Sequence, residues 1–283
     1  MIKVSIHTAA FDAAATLARA ARSVLAQTYP HWEWIIAADD GADYEEILRA
    51  RGIGDPRIRF ASTGRFRAGP AAARNAAHAL AQGEVMAVLD ADDTFAPSKL
   101  ESLLPRVLAH GAATCDLVLV ESATGREFPS LNRKYPAGLL SAEQYLTANL
   151  HGYSVELWDR RRVDVAWDET IGFAEDMILG LCLFNVLPGI YYDPEPLHYY
   201  YKHASSTCNT ETASGILESY RALIARAEHD ALPVRDPGAR GALLRFLRRM
   251  LVLEEKFFAE PAADPAMGFY YFIARNREEF YGR

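Results

Sequence analysis

Three carboxylates close the segment Val85-Met86-Ala87-Val88-Leu89-Asp90-Ala91-Asp92-Asp93. The apolar run reads as a buried strand, and acids gathered at its end suit a cation. On an extended backbone alternate side chains share a side, so Asp90 and Asp92 project together and Asp93 projects opposite. Neighbouring carboxylates repel unless something positive sits between them. An all-oxygen site suits a hard ion such as Mg2+ or Mn2+, which leaves coordination positions to substrate phosphates. A plainer alternative stands beside this one: the acids end a strand and cap a helix whose first turn holds Pro97.

The elements that must position these acids follow from periodicity. Ile2 to His7 reads as a strand, Ala13 to Gln27 as a helix, and Trp34 to Ala38 as a strand ending at Asp39-Asp40-Gly41. Tyr44 to Arg51 is a short helix, Arg57 to Ala61 a strand, Gly69 to Ala81 an alanine-rich helix, and Val85 to Leu89 the buried strand. Such alternation predicts an α/β fold, a mainly parallel sheet with helices on both faces. Ligands of these sheets bind beyond the strands' carboxyl ends. Asp39, Asp40, Asp90 and Asp92 therefore gather along one edge.

Composition narrows the function classes. A chain of 283 residues, half of them hydrophobic, holds one large domain or two modest ones. With 30 basic and 37 acidic residues its formal charge is -7, which argues against nucleic acid as a partner. Cys115, Cys182 and Cys208 lack paired ligand spacing, so neither a disulfide framework nor a structural zinc is expected. The amino terminus enters a strand without a charged leader, and apolar runs such as Met177 to Phe184 are too short to cross a bilayer. A cytoplasmic setting is expected.

Two phosphate motifs fail. Gly52-Ile53-Gly54-Asp55-Pro56-Arg57 has Arg where a dinucleotide fingerprint needs its third glycine, and it precedes a strand. Gly64 to Gly69 has P-loop glycine spacing, yet Pro70-Ala71 replaces the lysine and hydroxyl residue. What remains is a basic loop, with Arg65 and Arg67, running into a helix that carries Arg74-Asn75. That arrangement suits an anion or a merely solvated loop.

Taken in order, Val4-Ser5-Ile6, Asp39-Asp40-Gly41, Gly69-Pro70-Ala71-Ala72-Ala73-Arg74-Asn75, Gly83-Glu84, Asp90-Ala91-Asp92-Asp93 and Glu175-Asp176 resemble the family-2 inverting glycosyltransferases of GT-A fold. The likeness runs through Tyr199-Tyr200-Tyr201-Lys202-His203-Ala204-Ser205-Ser206. It implies a GT-A domain over 1–210 and a helical extension over 211–283. The implied activity is inverting transfer of a sugar from a nucleotide-diphosphate donor, UDP foremost, to a hydroxyl of a glycan or lipid-linked acceptor in polysaccharide biosynthesis. By the resemblance Phe11 stacks on the base, Asp39 or Asp40 accepts its hydrogen bond, Arg74 stands near the nucleotide or metal, and Asp90 meets the ribose. Asp92 is the implied ligand of Mn2+ or Mg2+, with Asp93 bracing the loop or reaching the metal through water. His203 keeps its place as a metal or diphosphate contact, while Tyr201 occupies a common arginine position and Lys202 is a candidate for the missing charge.

Glu175-Asp176 opens a helical pattern from Met177 to Leu187. First-turn acids complement a helix dipole by ~0.3 to 1 kcal/mol, and the resemblance adds a role: Asp176 as general base, with Glu175 orienting it. From Ile216 onward the chain is helical. Arg240, Arg245, Arg248 and Arg249 punctuate Leu243, Leu244, Phe246, Leu247, Met250 and Leu251, which fits a packed helix with a solvated face or peripheral contact with an anionic membrane. Phe269-Tyr270-Tyr271-Phe272 is open to core, homodimer or membrane contact. A nucleotidyltransferase, a glycoside hydrolase and a non-catalytic sugar-nucleotide-binding protein are the competing classes. The acceptor pocket is expected in the loops at Gly125 to Leu140 and after Leu197.

Overall fold

The computed structural model describes residues 1–132, 134–148, 156–203, 212–260 and 267–281, and for 279 and 280 the backbone alone. Ala204, Ser205, Ser206 and Cys208, and residue 133 of the expected acceptor loop, lie outside the described residues. The first half is the alternation read from sequence: β1 (Val4–Ala10), α1 (Leu17–Leu25), β2 (Trp32–Ala38), α2 (Tyr44–Arg49), β3 (Ile58–Ser62), α3 (Pro70–Leu80) and β4 (Val85–Val88). α1 starts four residues later than its pattern suggests, because Ala13 to Thr16 form a turn whose Ala13 N–H donates to Tyr44 Oη at 3.0 Å. Pro97 is not in a helix's first turn: it precedes Ser98, the residue before α4 (Lys99–His110).

After β5 (Thr94–Phe95) and α4 come β6 (Ala112–Glu121), β7 (Arg126–Pro129), β8 (Gly138–Leu140), α5 (Ala142–Ala148), β9 (Leu157–Asp159), α6 (Glu175–Leu183) and β10 (Ile190–Lys202). Among the described residues the sheet runs β3-β2-β1-β4-β9-β6-β10-β5. β1, β2, β3 and β4 are parallel; β9 is antiparallel to both β4 and β6, and β10 is parallel to β6. Two reversals restore direction. β10 therefore points the same way as β4, and its end, Lys202-His203, reaches the edge where Asp90 and Asp92 lie.

Local chemistry explains the joins. A Cβ at Gly83 would stand 2.5 Å from the Lys3 carbonyl oxygen, so only glycine lets the turn before β4 pass this close to β1. Its neighbour Glu84 locks the pair by accepting the Lys3 N–H at 2.7 Å.

Two large apolar clusters flank the sheet, beside a small one of Ile35, Ala37, Ala73 and Ala77 under α3. One unites Leu17 and Val24 of α1 with Leu100 and Val107 of α4 over Ile6 and Trp34. The other packs Met86, Val88 and Leu119 against Ile178 and Leu181 of α6, and against α7 (Ala213–Glu228) and α8 (Pro237–Ala259) through Leu223, Leu243 and Leu247. The carboxyl-terminal helices thus share a core with the sheet. Each fully buried aliphatic side chain there contributes about 1.5 to 3 kcal/mol.

Candidate active site

Parallel strands deliver their following residues to one edge, and β2 delivers Asp39 and Asp40. The two carboxylates part ways. Asp39 is buried, with Oδ1 accepting from Thr63 Oγ1 at 2.8 Å and Ala68 N–H at 2.9 Å, and Oδ2 from Gly69 N–H at 2.8 Å. The carboxylate fixes the loop that leads into α3. Asp40 stays half-buried. Its Oδ2 accepts from Asp12 N–H and Tyr44 Oη, its Oδ1 from Ala42 N–H. Burial alone would raise the Asp40 pKa, but these three donors outweigh it and hold the carboxyl below its usual range. Phe11, adjacent to Asp12, is 38% exposed, so its ring is not core packing.

β4 delivers Asp90, Asp92 and Asp93. Asp90 Oδ1 accepts from Arg74 Nη2 at 2.8 Å. Asp92 Oδ2 lies 2.9 Å from His203 Nε2, both side chains about a third exposed, and the Asp92 carbonyl accepts from Arg19 Nη2 at 2.6 Å. Asp93 turns inward, 1% exposed, its Oδ1 accepting from Tyr201 N–H at 2.9 Å and its Oδ2 facing His198 Nε2 at 3.0 Å. This enclosure fits the bracing role, the first of the two expected of Asp93.

Behind Asp93 stands a pair of residues that periodicity did not single out. Lys99, fully buried in α4, places Nζ 3.0 Å from His198 Nδ1. An ammonium only donates, so Nδ1 accepts and the Nε2–H of His198 donates to Asp93. Burial, then Asp92 and Asp90, push the Asp93 carboxyl well above its usual range, while burial lowers Lys99. The expected helper Lys202 is elsewhere, its Nζ over the Tyr200 ring on the face toward Glu254. Arg19 occupies that corner instead, 3.5 Å above the Tyr201 ring.

α3 begins with Pro70 after Gly69, whose φ of 102° suits glycine. One turn on, Arg74 is buried between two acids: Nη2 meets Asp90, and Nη1 meets Glu175 Oε1 at 2.7 Å. Burial alone would lower its pKa; Asp90, Glu175 and Asp176 outweigh that and raise it. α6 starts at Glu175 because Ala174 takes a left-handed φ of 59°, a conformation a non-glycine residue holds at a cost of order 1 kcal/mol. The turn brings Asp176 in beside Glu175. Asp176 is half-buried, its Oδ1 accepting from Met177 N–H at 2.7 Å and its Oδ2 without a partner among the described residues. Burial and then Glu175 push its carboxyl well above the usual range, against the pull of Arg74 and the Met177 N–H.

A second buried pair sets the height of α6. Tyr145 Oη donates to Glu156, whose carboxyl burial raises to about 7. A Cβ at Gly180 would fall 1.9 Å from that hydroxyl oxygen, so glycine is what lets α6 settle onto α5.

The carboxyl-terminal arginines are paired. Arg245 meets Glu143, Arg248 meets Glu228 and Arg240 meets Asp230, while Leu243, Phe246, Leu247 and Met250 face inward. Tyr270 and Phe272 are buried and Phe269 packs on the core, leaving Tyr271 as the exposed member of its cluster. No helix among the described residues is long and apolar enough to cross a membrane.

Strand-end acids, an arginine bridge and a helix-head acid thus meet at one edge of a mixed, mostly parallel sheet. The chain belongs to glycosyl transferase family 2, whose model matches residues 5–163. It is 34% identical over 189 residues to the succinoglycan biosynthesis protein ExoO of Rhizobium meliloti (strain 1021), covering 62% of this chain and 54% of that one. It is 35% identical over 105 residues to the Escherichia coli UDP-Glc:alpha-D-GlcNAc-diphosphoundecaprenol beta-1,3-glucosyltransferase WfgD, covering 37% and 41%. The chain thus spans about half the length of these relatives. In fold it matches S. aureus TarS 1-349 in complex with UDP-GlcNAc, with a TM-score of 0.68 and 14% identity over 99% of this chain and 78% of that one. The mannosyltransferase PcManGT from Pyrobaculum calidifontis, in complex with GDP-Man and Mn2+, matches at 0.57 and 15% over 97% and 79%. The expected GT-A fold is borne out.

Proposed function

We propose that this chain is an inverting glycosyltransferase of polysaccharide biosynthesis, moving a sugar from a nucleotide-diphosphate donor, UDP foremost, to a hydroxyl acceptor with Asp176 as general base. The observation that carries the reading is the Asp90–Arg74–Glu175 bridge, with contacts of 2.8 and 2.7 Å. One buried guanidinium joins the strand-end acids to the first turn of α6, so the donor-binding and proton-removing groups belong to one site. The exposed Phe11 ring supports base stacking. Asp39 or Asp40 is the acid for the base, and Asp90 is the acid for the ribose.

Asp92 and His203 are the pair that would hold Mn2+ or Mg2+. Among the described residues no three His, Cys, Asp or Glu gather as a metal set, and the ion's other positions would fall to phosphate oxygens and water. A divalent ion bound there supplies neutralisation of charge on the departing diphosphate. The protein's own part is proton removal: the Asp176 carboxylate takes the acceptor hydroxyl's proton as that oxygen bonds to the anomeric carbon. The carbon–oxygen bond to the diphosphate breaks, and its electron pair leaves with the nucleotide. A raised pKa makes Asp176 a stronger base than an ordinary carboxylate. Its partial exposure favours transfer over binding alone. WfgD's name specifies a diphosphoundecaprenol acceptor, which supports a lipid-linked acceptor class here.

Calorimetry of UDP with and without Mn2+ tests the donor site. Asp92→Asn should weaken metal-dependent UDP binding by at least the roughly tenfold that even an outer-shell partner is worth. Equal binding with and without Mn2+, in both proteins, removes the metal assignment. Incubation with nucleoside triphosphates that releases pyrophosphate would point to a nucleotidyltransferase instead.

A further inference from the structure

We propose that Phe66 is a second aromatic contact of the nucleotide base, working with Phe11, and that the loop from Thr63 to Gly69 exists in its present shape to hold it there. The inference rests on the donor-binding reading above. Phe66 is 72% exposed, and its ring lies 5.7 Å from that of Phe11 at 62°. Leaving a phenylalanine in water forgoes the favourable burial of its ring. A loose loop would fold such a ring inward.

This loop is not loose. Asp39 takes the Thr63 hydroxyl and the Ala68 and Gly69 N–H groups on its carboxylate, and its carbonyl accepts the Arg67 N–H at 2.8 Å. Arg67 itself is held at a φ of 59°, left-handed for a non-glycine residue. The result sets two neighbours against one ring, because the Arg67 guanidinium stands 5.0 Å from the Phe11 centroid. A buried acid and a strained arginine are thus spent on presenting Phe66 and Arg67 to solvent beside Phe11. A flat, polar-edged ring answers all three groups: it stacks on Phe11, meets Phe66 at the steep angle the two phenyl rings already make, and offers carbonyl oxygens to Arg67. A nucleobase has this chemistry, and neither a sugar nor a diphosphate does.

The test is calorimetric titration of UDP, and of inorganic pyrophosphate as a base-free probe, both with Mn2+. Phe66→Ala should raise the Kd for UDP by about tenfold, the usual loss when one aromatic partner of a base is removed. Phe66→Trp should restore binding to within about twofold, pyrophosphate affinity should not change in either variant, and the melting temperature should stay at the wild-type value because the ring is exposed. Unchanged UDP affinity in Phe66→Ala overturns the inference while leaving the donor reading intact. Equal loss for UDP and pyrophosphate also overturns it, since it would make Phe66 a support of the loop. Wild-type protein that binds no nucleoside diphosphate overturns the donor reading and this inference together.

Discussion

At the carboxyl ends of β2 and β4 each carboxylate is met by a cation, an imidazole or N–H and O–H donors within hydrogen-bonding reach, whereas at the head of α6 Asp176 has one N–H and otherwise burial. The first environment gives each acid a partner and holds the Asp40 carboxyl below its usual range, although burial still raises Asp93. The second makes charge costly and so prepares a carboxylate to take up a proton. On the proposed reading one sheet edge separates holding a donor from activating an acceptor, and Arg74 is the contact the two tasks share.

The largest break in that contrast should come from Asp176→Asn. It removes the base while keeping shape, and single-turnover transfer should fall by on the order of 10² to 10⁴ with UDP affinity within about twofold of wild type. Full transfer activity in this variant would place the base elsewhere. Next in size is Lys99→Met, which leaves His198 and Asp93 without their buried cation. Urea denaturation should show a loss of about 3 kcal/mol, and a loss under about 0.5 kcal/mol would mean the Lys99–His198–Asp93 chain does not brace the strand end.

The smallest and most telling effect is in the pH profile. Because Glu175 raises the Asp176 pKa, removing its charge lets Asp176 ionise at lower pH, and the freed Arg74 acts in the same direction. In Glu175→Gln the acidic limb of kcat should therefore move down by about one pH unit. A limb that stays put or moves up would show that Asp176 is not the titrating group.

Much of the strand-end site was legible because its acids are local: an apolar run that stops at Asp90, or at Asp39, needs no distant information. Which aspartate holds the loop before α3 was not legible. That depends on Thr63, Ala68 and Gly69, whose hydroxyl and N–H groups reach Asp39 only once the loop has closed. Lys99 was missed for a different reason. A lysine at a helix start reads as a solvated end, and only the packing of β10 over α4 reveals it as fully buried against His198. Arg19 likewise stands 73 residues from the Asp92 carbonyl it holds. The carboxyl-terminal helix was legible in its apolar face, while its ion pairs required knowing that Glu143 and Glu228 lie alongside.

The shared arginine has a thermodynamic consequence. Arg74 divides its two nitrogens between Asp90 and Glu175, so a ligand that changes its hold on one acid changes the free energy of the other. Linkage makes that effect reciprocal: whatever donor binding does to the acceptor's affinity, acceptor binding does to the donor's by the same factor. On the proposed reading the size of that coupling is read by titrating donor with and without acceptor, in the wild-type protein and in Arg74→Lys, without observing the reaction at all.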